Sequence, residues 1–324
     1  MASFDIDLTH DETVSTHTAT QIRQSSFSVP TSFRSHSIIY KGKCVVHRGN
    51  LLCEGTKDSS DAVCKVALGD LSRIRHEVQL YVSHDHLYDL QGDVVPRFYG
   101  YYECKHNVGE LEVDMGCMVL EYCGKRVPRK LLGKKETKVA ILSALLLIHH
   151  VALLTHGDFA DDSWRHVLLR ETENGRDYRI IDFDHARKHE CEQSIPVDFD
   201  GYEPSPAKFG CMELYDIVQN LDIWTPAIID FFNYPYCIFQ VGSVERLVAC
   251  AMARPNSVNY SEEEIREEAK KLLGEYFALY GDRFEYIGHP LQFKRKLNLP
   301  NVEEPKDEFI PVYLPPDWQP IDLA

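Results

Sequence analysis

No stretch of this chain reaches the ~18–20 consecutive apolar residues that a membrane-crossing helix needs. The longest apolar run, Val139 to Leu154, is broken by His149 and His150, and mean hydropathy is −0.30. A membrane is therefore not an expected partner. The start of the chain lacks a basic-then-apolar segment with a small-residue cleavage site, so secretion is not expected. Positive charge is scarce, with 35 Lys and Arg against 50 Asp and Glu and a net charge of −15. No basic field would draw in nucleic acid. No C-x-x-C pair occurs among the ten cysteines, most of which sit inside apolar runs. They read as reduced, mostly buried thiols of a cytoplasmic or nuclear protein. His185, His189 and Cys191 lie close together, but three mixed ligands without a second paired cluster make a weak zinc pattern. The nucleophile elbow of a Ser/His hydrolase is also missing, so Ser143 and His149-His150 read as helix residues.

What is present suits a sizeable core. The chain has 324 residues, 44% of them apolar, which fits one large two-lobed domain or two small ones. Residues 1–34 are rich in Ser, Thr and His without sustained period, and are expected to form a flexible arm. Strand-like runs follow at Ser37–Tyr40, Cys44–His47, Leu51–Glu54 and Ala62–Leu68, punctuated by turn residues. Leu71 to Leu87 has helical spacing, with Leu71, Ile74, Val78, Tyr81 and Val82 on one face. Phe98–Glu103 and Gly116–Tyr122 are predicted strands.

After Gly124 the character changes. Glu136 to Leu154 is apolar nearly all round and predicts a buried helix. Val167–Arg170 and Tyr178–Phe183 predict a hairpin joined through Asn174-Gly175. Helical patterns return at Met212–Trp224, Pro226–Phe232, Val244–Met252 and Ser261–Tyr280, the last opening on a capping-box pattern. From Leu297 on, prolines and acids predict an extended tail. The expected organisation is an arm (1–34), a β-rich lobe with one helix (35–123), a helical lobe (124–296) and the tail (297–324). A ligand cleft is expected at the lobe boundary near Glu121 to Arg126.

Two local features carry chemistry. His156-Gly157-Asp158 follows the buried helix, and Ile180-Ile181-Asp182-Phe183-Asp184 ends a strand-like run. An acid at a strand's exit is well placed to hold a metal ion or orient a nucleophile, although a lone acid is more often a cap or a solvated turn residue. Lys65 sits inside Ala62-Val63-Cys64-Lys65-Val66-Ala67-Leu68. An ammonium in an apolar strand must snorkel or find a partner. The bland reading is an edge-strand lysine and a solvated Glu77; the sharper one is an ion pair that aims the lysine at a phosphate.

The order of these parts is lysine strand, helix with Glu, β section, connector, buried helix, His-Gly-Asp, strand, Ile-Asp-Phe. In this order the chain resembles the protein-kinase-like superfamily over about residues 37 to 225. More narrowly, it resembles the divergent kinase-like proteins that abound in mushroom-forming fungi. The resemblance implies an α+β bilobal protein-kinase-like fold with a β-rich N-lobe and a helical C-lobe. It implies ATP and Mg²⁺ as cofactors, and a protein substrate or binding partner. Lys65 would neutralise nucleotide phosphates, with Glu77 holding it. Asp158 would take the acceptor's proton, and Asp182 would bind Mg²⁺. Glu121, Tyr122 and Cys123 would meet adenine, and Phe183 would pack into the core.

Four departures qualify that pattern. Gly42 is all that remains of a glycine-rich loop. His166 stands where the Mg²⁺-binding Asn belongs, and a neutral imidazole is a poor Mg²⁺ ligand; Asp161 and Asp162, in the same loop, are the candidate substitutes. Asp184 replaces the glycine of Asp-Phe-Gly, restricting the backbone and adding an acid. No Ala-Pro-Glu follows. Three readings stay open: an active phosphotransferase acting on protein Ser/Thr, a pseudokinase scaffold, and a small-molecule kinase resembling choline and aminoglycoside phosphotransferases.

Overall fold

The computed structural model describes residues 3–10, 13–24, 29–55, 59–159, 164–173, 175–199, 201–241, 243–257 and 259–280. Asp161, Asp162, the tail 297–324 and Asn174 of the expected hairpin turn lie outside them. The chain divides into two compact units between Cys191 and Glu192, whereas the sequence reading puts the main boundary after Cys123.

The N-terminal segment begins the first unit as sheet. In β1 (Ser3–His10), Phe4, Ile6 and Leu8 are buried and alternate with solvent-facing Asp5 and Asp7. That is the two-residue period of a strand. Their burial is worth roughly 5–9 kcal/mol together, as an upper bound. β2 (Thr13–Gln24) and β3 (Pro30–Lys41) follow, then β4 (Val45–Cys53), β5 (Ser60–Leu68), helix α1 (Ser72–Val82), β6 (Phe98–Val108) and β7 (Leu111–Glu121). The seven strands close in the order β1-β2-β6-β7-β5-β4-β3. β1 makes the closure, pairing antiparallel with β2 and parallel with β3 through Asp5–Ser32, Ile6–Phe33 and Asp7–Arg34. Closure leaves no unpaired edge.

The wall must bend to close. β3 shifts register against β4 at three places, each an irregularity that turns a strand. On β4, a Cβ at Gly49 would stand 2.1 Å from the Arg34 carbonyl oxygen, so only glycine fits this close approach. The interior is filled by side chains. Phe4 stacks on Tyr102 at 3.9 Å between ring centroids, and Phe33, Leu51, Cys64 and Cys117 pack around them.

The expected fold is thus corrected. The molecule is a mixed α+β fold dominated by a closed seven-stranded barrel, not a bilobal kinase-like fold with a helical C-lobe. The physical reason is the first 34 residues. Instead of a loose arm they form β1, β2 and the start of β3, and they convert an open sheet into a barrel. β6 and β7 also run five residues beyond and before their predicted limits, pairing down to Val108–Leu111.

The remainder of the first unit holds β8 (Lys125–Arg126), α2 (Arg129–Leu132), α3 (Lys135–His150), β9 (Leu154–Thr155), β10 (Val167–Thr172), β11 (Gly175–Ile180) and β12 (Arg187–Lys188). β10 pairs with β11 and β8, and β12 pairs with β9. α3 stops four residues before its predicted end and is buried on one face, with Val139 and Leu147 exposed.

The second unit holds α4 (Pro206–Phe209), α5 (Met212–Asn220), β13 (Ile228–Phe231), β14 (Tyr234–Cys237), α6 (Ile238–Val241), α7 (Val244–Met252) and α8 (Glu262–Tyr280). The helix expected over Pro226–Phe232 is a strand. Phe231 pairs with Tyr234 across Phe232-Asn233, both at positive φ (51° and 63°), the geometry of a tight hairpin turn. The capping box is reciprocal: Glu264 N donates to Ser261 Oγ at 3.3 Å, and Ser261 N donates to Glu264 Oε2 at 2.8 Å. Among the described residues no helix is long and apolar enough to cross a membrane.

Candidate functional site

β5 has two faces. Ala62, Cys64 and Val66 point into the barrel, and the alternation turns Lys65 outward, towards α1. Its Nζ donates to Glu77 Oε2 at 2.6 Å and to Asp182 Oδ1 at 2.5 Å. Glu77 lies on the buried stripe of α1 with Ile74, Val78 and Tyr81. Its second oxygen accepts from Phe183 N at 3.1 Å, which ties α1 to the Asp182-Phe183 segment. The sequence reading brings Lys65 and Glu77 together, and the structure adds Asp182 to the pair. β5 runs between β4 and β7, so Lys65 is not an edge-strand residue.

Asp182 stands between β11 and β12 with φ 72° and ψ 63°. A left-handed conformation is uncommon outside glycine, although Asp tolerates it better than most, and it stores strain of about 1–2 kcal/mol. The unusual backbone falls on Asp182, not on Asp184 as the missing glycine suggests. Asp184 instead accepts from Arg73 Nη1 of α1 at 3.5 Å. Phe183 is buried, 4.9 Å from the His156 ring and 6.1 Å from that of Tyr81.

β9 delivers His156-Gly157-Asp158. His156 is buried and its Nε2 bonds to the Ile181 carbonyl at 2.9 Å, fastening this loop to the residue before Asp182. Gly157 has φ 77°, and a Cβ there would stand 2.6 Å from the His185 carbonyl oxygen, so the arginine of the kinase motif would not fit. Asp158 Oδ2 accepts from Arg165 Nη2 at 2.7 Å and lies 3.0 Å from His166 Nε2. His166 Nδ1 lies 3.5 Å from Asp182 Oδ2, so His166 stands between the two acids. Arg165 Nε also points at His166 Nε2, at 2.9 Å. Accepting there and donating to Asp158 require opposite proton placements on Nε2, so only one of the two bonds forms at a time.

Burial works against the charge on Lys65, but Glu77 and Asp182 outweigh it and hold the ammonium protonated. Burial pushes the Glu77 carboxyl up, against the pull of Lys65. Asp182 is desolvated too, yet Lys65 dominates and keeps its carboxyl below the usual range. Asp158 is likewise held low, with Arg165 and His166 overcoming its desolvation. Burial lowers the His166 pKa, so its imidazole is neutral at pH 7.

The other predicted residues are placed less simply. Gly42 lies in the turn between β3 and β4, where its N–H donates to the Cys44 carbonyl at 3.1 Å. Burial raises the Cys44 thiol pKa, and the thiol lies within the field of Lys65, Glu77 and Asp182. At the expected adenine edge, Glu121 N donates to Arg97 O and Tyr122 N to Asp61 O, and Tyr122 O accepts from Arg170. Glu121 is ion-paired with Arg170 at 3.0 Å, and the Cys123 thiol donates to Glu121 O. Several polar groups expected to meet adenine are thus already engaged. Arg165 is the participant that sequence reasoning missed; only its adjacency to His166 marks it. The His185–His189–Cys191 grouping separates, because His185 Nε2 accepts from Arg73 at 2.8 Å. No model of a known protein family matches this sequence, and no curated protein matches it, so the site itself must carry any functional argument.

Proposed function

We propose that the Lys65–Glu77–Asp158–Asp182 site binds ATP with Mg²⁺ and transfers the terminal phosphoryl group to a Ser or Thr hydroxyl of a protein. The observation that supports this reading is Lys65 Nζ, held 2.6 Å from Glu77 and 2.5 Å from Asp182. A protonated ammonium anchored by a buried acid is a stable point charge for phosphate oxygens.

The donor set suits the cation. Mg²⁺ prefers hard oxygens and is held by one or two carboxylates together with substrate phosphates. Asp182 would hold it, with Asp158 within reach of the same region through His166. The ion supplies neutralisation of phosphate charge. His166, a nitrogen donor, positions the two acids instead of ligating. Asp158 orients the acceptor hydroxyl and takes its proton. The acceptor oxygen bonds to the γ-phosphorus, the bond to the β-phosphate oxygen breaks, and ADP leaves. No disulfide joins the described cysteines, which fits a reducing compartment such as cytoplasm or nucleus.

A binding-only scaffold is favoured by one observation. Arg165 and His166 both engage Oδ2 of Asp158, and a base must shed such partners to act. One experiment separates the readings. Thermal unfolding is followed with ATP, with and without millimolar Mg²⁺, and transfer of labelled γ-phosphate to a generic protein acceptor is measured in parallel. Nucleotide at about a hundred times its Kd stabilises the folded state by ~2.7 kcal/mol. The expected result is a Mg²⁺-dependent shift with transfer that falls by about 10²–10⁴-fold in Asp158→Asn, while the shift persists. A shift without transfer selects the scaffold, and no shift at saturating ATP removes the nucleotide reading altogether.

A further inference from the structure

We infer a zinc-type metal site formed by His149, His189 and Cys191, separate from the proposed phosphate site and not dependent on it. The nitrogen and sulfur atoms these three side chains offer all lie within 4.8 Å of one another. His149 is on the last turn of α3 and is buried. Its ring meets that of His189 edge to face, with centroids 5.2 Å apart and planes at 82°.

The backbone explains the meeting. α3 ends at His150, and the chain reverses through Leu153 at φ 52°. β9 then pairs with β12, Leu154 against Lys188 and Thr155 against Arg187. The ladder continues one residue further, where His189 N donates to the Leu153 carbonyl at 2.8 Å. This fixes His189 over the end of α3, with Cys191 two residues beyond. The same pairing sends His185 elsewhere, to Arg73.

The donor chemistry selects the ion. Imidazole nitrogen and thiolate sulfur suit Zn²⁺, at ~2.0–2.1 Å and ~2.3 Å, and do not suit Mg²⁺ or Ca²⁺. Tetrahedral geometry at those lengths puts donors roughly 3.3–3.8 Å apart, so the observed cluster needs a closing movement of up to about 1.5 Å. Cys191 would bind as thiolate, giving up its proton to solvent. The consequence is mechanical. β9 leads directly into His156-Gly157-Asp158, and β12 directly follows the Asp182 segment. A metal here would staple the two strands from which both acid-bearing loops emerge.

The test uses the full chain, purified without chelators or a metal-affinity step, with Zn²⁺ and Co²⁺ as probes. About one zinc per chain is expected by elemental analysis. Co²⁺ substitution should give an intense thiolate-to-cobalt absorption band. Cys191→Ser and His189→Gln alter partly exposed side chains and should fold, as circular dichroism would check. Each should weaken Zn²⁺ binding by tenfold or more, and Cys191→Ser should abolish the cobalt band. Less than about a tenth of an equivalent bound by the wild-type chain, or uptake by Cys191→Ser equal to wild type, overturns the proposal.

Discussion

The two faces of β5 obey different rules. Facing inward, Ala62, Cys64 and Val66 join a barrel interior packed mainly by apolar and aromatic side chains, with buried His47 opposite Cys64. On the outer face, Lys65 meets two carboxylates, one from α1 and one from a loop more than a hundred residues later. The inner face is held by area removed from water, which is non-directional and tolerates repacking. The outer face is held by desolvated charge, which is stabilising only while every partner is present. One strand therefore carries a forgiving core and an unforgiving site on adjacent residues.

The comparison can be broken most severely from the barrel side. Ile6→Asp puts an unpaired charge at the closing strand's buried face and should cost about 4 kcal/mol or more, read by urea unfolding. Its exposed neighbour provides the control: Asp5→Ala should stay within about 0.5 kcal/mol. If Ile6→Asp is equally silent, β1 does not close the barrel.

On the outer face, Glu77→Ala leaves Lys65 without its buried partner and Phe183 N without its acceptor. A loss of about 3 kcal/mol is expected in the same unfolding assay. ATP-dependent stabilisation should disappear with it. A variant that unfolds like wild type would make the pair a surface contact in energetic terms.

The smallest effect sharpens the role of His166. Burial lowers its pKa below the ordinary 6.5, so the unfolded chain binds a proton first as pH falls. Stability contributed by the neutral ring is therefore full above pH ~6.5 and declines below it, with a slope of at most ~1.4 kcal/mol per pH unit. His166→Asn should flatten that part of the stability profile. It should also strengthen Mg²⁺-dependent ATP binding, because an amide oxygen is a better Mg²⁺ ligand than imidazole. An unchanged pH profile would show that His166 does not titrate in this window.

Legibility differed between site and fold. Lys65, Glu77, Asp158 and Asp182 were readable because each stands in a short motif whose chemistry is local. His166 was readable only as a substitution, and Arg165 not at all, because their roles depend on where a loop comes to rest. Phe183 is core, as its size and apolar ring suggest, and it packs beside buried His156. The composition of residues 1–34 suggests an arm because Ser, Thr and His dilute the alternation of Phe4, Ile6 and Leu8 that specifies the strand. The Pro226–Phe232 segment failed for a related reason: its apolar residues suit either period, and the turn at Phe232-Asn233 decides.

By itself, the sequence determined that Lys65 lies in an apolar strand, where α1 begins and where α8 runs. Those properties are local, set by side-chain chemistry and spacing along a few turns of chain. Only the tertiary structure decided that the first strand closes a barrel, that Asp182 rather than Asp184 bears the strained backbone, and that His149 rather than His185 meets His189. Each of these depends on pairing between distant segments, where the energies of alternative registers differ by a few contacts and no single residue announces the choice.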